Sequence, residues 1–215
     1  MLDQLLAVLD AYDFEEDGGL ELVGFTLQDK QCTLSLKVWP GGGGDWQQWE
    51  MSCADVRRYQ LLSERLVGFD LTNDHVLLWD YNQPKSQLHL HGKPVDAVLL
   101  AWQLQARHQQ VTDDQMPFAK YLNPHMSKCD SLVGLLAGGY GLLARGPLPL
   151  LKEYEAVLSQ HEVGTYYFSG SWEQRENEAA VSADNQNLSV LIVGTSYIIG
   201  SDFQAVRSPE RKNTA

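Results

Sequence analysis

Gly139-Tyr140-Gly141-Leu142-Leu143-Ala144 carries the GxGxxG/A spacing of a dinucleotide site, inside the apolar stretch Ser131–Gly146. The chemistry would be cofactor-dependent redox. Such glycines let a backbone approach a pyrophosphate, and a helix N-terminus holds its charge. The site requires strand, turn and helix in that order, with an acidic residue about 20 positions further on, ending a second strand. Here Gly146-Pro147 stops a helix from Gly141 after barely one turn, and Pro149 follows. Glu153 and Glu155 fall in a helical pattern instead of at a strand end. The stretch therefore reads as two short antiparallel strands, Leu132–Ala137 and Tyr140–Ala144, bent at Gly138-Gly139. No dinucleotide cofactor is expected.

His89-Leu90-His91 places two imidazoles on one face of a strand, where both could hold a divalent transition metal. Asp96, or His75 from a neighbouring strand, would supply a third ligand. The chain would then be a metal-dependent enzyme or a metal-binding protein. Against this, Leu88 and Leu90 point inward, so Gln87, His89 and His91 also read as an ordinary solvated face. Asp74-His75 with Asp80 is poorly arranged for a base, because neighbours on a strand face opposite ways. No GxSxG elbow, GxxxxGK[ST] loop or HExxH motif occurs. Cys129 beside Lys128 reads as an inert thiol, and His161 as a partner of a helix C-terminus.

Chemistry thus gives way to surface character. Trp39, Trp46 and Trp49 flank the Gly41–Gly44 loop. Trp172 sits in the polar segment Gly170–Asn187 with Glu173, Glu176 and Glu178. A loop tryptophan either folds back or meets a partner, and aromatic anchors dominate interface energetics. Trp46, Trp172, Glu173 and Glu176 are the expected contact residues.

The elements that position these groups follow from periodicity. Leu2, Leu5, Leu6 and Leu9 recur as on a helix, ending before the acidic Asp13–Asp17 turn. Cys32, Leu34, Leu36 and Val38 alternate with polar residues, as do Trp49, Met51 and Cys53, predicting an antiparallel hairpin. The apolar phase of Leu20–Gln28 shifts at Gly24, predicting a bulge. Further strands are expected at Leu66–Leu71, His75–Tyr81, Gln87–His91 and Thr165–Ser169, and a long run at Leu188–Ile199. Pro94 opens a helix to residue 109 whose inner face carries Val95, Val98, Leu99, Trp102 and Ala106. A second helix carries Leu148, Leu151, Tyr154, Val157, Leu158 and His161. Strands followed by a helix, twice over, predict an α+β fold. It would comprise two consecutive subdomains, residues 1–125 and 126–215, each a mainly antiparallel sheet with a packed helix.

Composition bounds the function. The chain has 215 residues, is 44% apolar and carries 21 Trp, Tyr and Phe (6, 9 and 6), so it can bury a sizeable core. Acidic residues outnumber basic ones 28 to 16, a net charge of −12. Such a surface repels phosphate backbones and anionic lipid, and favours a basic protein partner. Three cysteines without a CxxC pair argue against a disulfide framework or thiolate zinc, and for reduced, buried thiols. The first residues lack a basic region and place Asp3 early, which points to a cytoplasmic chain without a secretory signal. The longest charge-free apolar run is too short and polar for a bilayer. The expectation is a non-enzymatic, acidic protein-binding module, immunity- or inhibitor-like or an assembly accessory factor. A homo-oligomer built on strand edges such as Leu188–Ile199 is a third reading.

Overall fold

The computed structural model describes residues 2–10, 19–39, 44–61, 68–123, 129–180 and 182–208. The chain runs through helix α1 (Leu2–Asp10) and strands β1 (Gly19–Gln28), β2 (Gln31–Trp39), β3 (Gln47–Gln60) and β4 (Phe69–Thr72). Then come α2 (Trp79–Asn82), β5 (Lys85–His91), α3 (Ala97–Thr112), α4 (Cys129–Gly138), β6 (Tyr140–Pro147), α5 (Leu148–Gln160) and β7 (Gly164–Phe168). It closes through α6 (Ser171–Ala180), α7 (Ala183–Gln186), β8 (Ser189–Val193) and β9 (Ser196–Arg207). The fold is α+β with two antiparallel sheets, one of six strands in the order β1-β2-β3-β9-β8-β4 and one of three in the order β6-β5-β7.

The expected division at residue 125 is not where the contacts separate. One compact unit is Met1–Asp74 with Asn187–Ala215, and the other is His75–Gln186. The reason is strand pairing: β9 returns to lie beside β3, and β8 takes β4 as its other neighbour. The second unit is thus an insertion in the first.

In the first unit the alternation of β2 and β3 buries Cys32, Leu34, Leu36 and Val38 against Trp49, Met51 and Cys53. The expected hairpin forms with Leu34 opposite Met51 and Leu36 opposite Trp49. Leu5 and Leu9 of α1 complete this core. The register of β1 on β2 shifts between Leu22 and Gly24, the expected bulge, which leaves Val23 exposed. The run Leu188–Ile199 folds as a hairpin because Gly194, at φ +58°, turns the chain between Val193 and Ser196. It offers no free edge: β9 is flanked by β3 and β8, and β8 by β9 and β4.

In the second unit α5 packs on the three-stranded sheet, and α3 packs against α5 and α4. Leu88, Leu90, Leu143 and Ala144 of the sheet are buried with Leu150, Leu151, Tyr154 and Leu158 of α5. Pro147 and Pro149 open α5, where a missing backbone N–H costs nothing. Three expectations are corrected. Residues 132–137 lie in helix α4; His75–Tyr81 is a 3₁₀ turn at Val76–Leu78 followed by α2; and the polar segment 170–187 contains α6 and α7. Asn177 explains the last: its amide exchanges hydrogen bonds with the backbone N–H and C=O of Lys85, clamping α6 to β5. Among the described residues no helix is long and apolar enough to cross a membrane.

Candidate functional site

Helix α3 starts at Ala97, where the Asp96 carboxylate accepts from the backbone N–H groups of Val98 and Leu99 at 2.9 Å. The apolar residues expected to face inward face outward instead. Val95 is 103% exposed, Trp102 67%, Val98 54% and Leu99 48%. The buried stripe is Leu100, Leu104, His108 and Thr112. His108 Nε2 lies 2.6 Å from the Met116 carbonyl, which can only accept, so Nε2 carries the proton and Nδ1 accepts from the Tyr154 hydroxyl. Burial lowers the His108 pKa and raises that of Tyr154, keeping both neutral. These hydrogen bonds let a histidine occupy the core. The apolar residues Val98, Leu99 and Trp102 of α3, spaced i, i+1 and i+4, are left on the surface, with Val95 exposed just ahead of the N-cap.

A second exposed face belongs to the three-stranded sheet. His89 stacks on Tyr166, with centroids 4.9 Å apart, and meets the edge of Phe168. His91 also lies near the Tyr166 ring, with centroids 6.4 Å apart, and covers Gly164, where a Cβ would collide with the His91 ring. Tyr140 hydrogen-bonds Tyr166, raising the Tyr166 pKa. His89 Nε2 is 3.3 Å from the Gln87 side-chain oxygen, and the Gln87 amide donates to Glu173. Glu173 also accepts from the Gly170 N–H at 2.9 Å. Partial burial, with the Arg145 charge, lowers the His89 pKa. With Nε2 donating, only Nδ1 of His89 remains to accept.

Of the metal candidates, His89 and His91 share this face, whereas the two expected third ligands are engaged elsewhere. His75 is not on a neighbouring strand: its Nδ1 caps the 3₁₀ turn by accepting from the Leu77 N–H at 3.2 Å. Asp96 is engaged in capping α3. Among the described residues no three His, Cys, Asp or Glu side chains gather in metal-binding range. Asp80, the other carboxylate near His75 in sequence, accepts from Tyr121 and pairs with Lys120.

The contact candidates also take distinct places. Trp46, 43% exposed, folds back on Trp39 and lies over Gly19. Glu173 is fully buried, so its carboxylate serves the α6 N-terminus and Gln87 and does not face a partner. Glu176 is on the surface, 2.6 Å from Lys85 Nζ. Trp172 is the second residue of α6, not of a loop, and its side chain lies outside those described. Cys129 is the first residue of α4, and its side chain likewise lies outside them.

The glycine motif has the reverse order of a dinucleotide site: helix α4 precedes the turn and strand β6 follows it. Gly139, at φ +74°, ends α4 by bonding its N–H to Leu135 O, and its own carbonyl accepts from Gly92 N–H. It ties the ends of β5 and α4 together and has no helix N-terminus to offer a phosphate.

Sequence reasoning missed the outward face of α3 because the helix is apolar on two sides, and periodicity alone does not say which side meets α5. No protein-family model, curated protein or solved structure matches this chain.

Proposed function

We propose that this chain is a cytoplasmic, non-enzymatic protein-binding module, and that it docks a basic protein partner on the outward face of α3. The immunity- or inhibitor-like and assembly-accessory roles are the forms this reading takes. The observation that carries it is the exposed face of Val98, Leu99 and Trp102 on a helix whose other face is already committed to the core. Three apolar side chains at about 1.5–3 kcal/mol each give at most on the order of 4–9 kcal/mol, and less for Val98 and Leu99, which are already about half covered. That is of the same order as the roughly 4–15 kcal/mol cost of association, so the stripe alone supports only weak binding. The net charge of −12 supplies the second term, steering a basic partner and disfavouring nucleic acid.

The test is capture of the partner from the native cells, purification of that partner, and calorimetric titration with the full chain. Trp102→Ala is expected to weaken binding by at least tenfold, and raising salt to weaken it further. Equal affinity for wild type, Trp102→Ala and Leu99→Ala would remove α3 as the docking face. Affinity unchanged in molar salt would remove the basic partner.

A further inference from the structure

We propose that Cys32 and Cys53 form a reversible cross-strand disulfide. The two residues stand directly opposite each other in the β2–β3 ladder. Facing residues of an antiparallel pair have Cα atoms about 4.5–5.5 Å apart, inside the roughly 4.4–6.8 Å range of disulfides. Their Sγ atoms are already 3.1 Å apart, so a bond of about 2.05 Å needs only a small side-chain rotation. Both thiols are free and buried. Gly200 of β9 provides the room beside them: a Cβ there would stand 3.3 Å from Cys53 Sγ and 2.8 Å from Ala54 O.

The neighbouring backbone gives an oxidant a route in. The β3–β9 ladder breaks register between Ser52 and Ala54 and again before Arg58, with Asp55 in the left-handed region at φ +47°. β3 is paired on both sides, but its ladder with β9 is interrupted beside Cys53, and fewer ladder bonds there favour local opening. Either thiol can donate the hydrogen bond between them, so whichever loses its proton first is the attacking group, and the exchange below is the same with Cys32 or Cys53 in that role.

The oxidant is a small-molecule disulfide such as oxidised glutathione. The Cys32 thiolate attacks one of its sulfurs, and one glutathione thiolate leaves. Cys53 then gives up its proton and attacks Cys32 Sγ, releasing the second glutathione. Two electrons pass from the protein thiols to the oxidant, and the two thiol protons end on the two glutathione thiols. Where thiols are kept reduced the pair stays a dithiol; where oxidised glutathione accumulates, the bond pins β2 to β3.

The experiment uses the full chain, native and also refolded from denaturant in glutathione buffers, so that burial does not limit access. Thiols counted in denaturant are expected to fall from three to one, with Cys32 and Cys53 recovered in one linked peptide and the count restored by dithiothreitol. Cys129→Ser is expected to fall from two to none. The oxidised chain is expected to melt about 5–10 °C higher than the reduced one. A Cys129→Ser chain that keeps both thiols after refolding in excess oxidised glutathione, or carries only glutathione adducts or intermolecular bonds, would overturn the proposal.

Discussion

The Tyr154 hydroxyl lies 2.7 Å from Nδ1 of His108, and both side chains are buried between α3 and α5. Since Nε2 of the same ring donates to Met116 O, each nitrogen has one partner of the right kind. Tyr154→Phe removes a donor and leaves Nδ1 as a buried acceptor. An unsatisfied buried group costs about 1–3 kcal/mol, so the urea midpoint is expected to fall accordingly with the slope unchanged. A variant as stable as wild type would show that the hydroxyl does not hold the ring.

The same pair sets a pH dependence. Burial holds the His108 pKa below its ordinary 6.5. Below pH 6.5 the unfolded chain binds a proton that the folded chain does not, so ν_U exceeds ν_N and stability rises with pH. The contribution is complete above about pH 6.5 and is lost as pH falls from there toward the lowered folded value, with a slope of at most about 1.4 kcal/mol per pH unit. Urea denaturation between pH 5 and 7.5 is expected to show this slope, and His108→Gln to flatten it.

The first unit was more legible in sequence than the second, and the reason is geometric. Period-two alternation at Cys32–Val38 and Trp49–Cys53 admits one burial pattern, because a one-residue slip would expose every apolar side chain. The Gly24 bulge follows from the same rule. Helix α3 has no such constraint, since Val98, Leu99 and Trp102 compete with Leu100 and Leu104 for the core. The competition is settled by Tyr154, distant in sequence, which makes room for His108. Residues 132–137 were open to a strand or a helix reading for the same reason, being a short apolar run. Of the candidate site, the exposed strand face with His89 and His91 was legible; its link to Glu173 through Gln87 was not, because Gln87 and Glu173 are 86 positions apart.

Adjacent glycines give opposite expectations. At Gly139, φ is +74° and a Cβ would stand 2.9 Å from the Gly92 carbonyl oxygen. Gly139→Ala is expected to destabilise by roughly 1–3 kcal/mol through backbone strain, and more if the β5 end shifts. Gly138 ends α4 with open space where a Cβ would be, so Gly138→Ala is expected to be neutral or stabilising by up to about 1 kcal/mol. Paired urea titrations check both, and equal effects would contradict the turn assigned to Gly139.

Glu173 and Glu176 lie one helical turn apart on α6 but differ in environment. Glu173 is fully buried and accepts from Gln87 and the Gly170 N–H, so Glu173→Ala leaves one buried and one part-buried donor without a partner. The expected loss is about 2–4 kcal/mol, read as a drop in the unfolding midpoint. Glu176 is the more exposed partner of Lys85, whose side chain is only 19% exposed, and Glu176→Ala is expected to cost about 1–2 kcal/mol, less than Glu173→Ala. If Glu173→Ala were the milder of the two, the polar chain from His89 to Gly170 would not be holding α6.

The two faces of α3 separate stability from binding. Leu104 is fully buried, and Leu104→Ala is expected to cost about 2–5 kcal/mol by leaving a cavity against its neighbours. Trp102 is largely solvated, so Trp102→Ala is expected to change stability by less than about 0.5 kcal/mol. Its exposed indole also predicts a component strongly quenched by acrylamide, reduced in the variant and when a partner covers the helix, with exposed Trp46 contributing a constant remainder. A Trp102→Ala protein that unfolds early would assign the outward face of α3 to the fold and withdraw it from recognition.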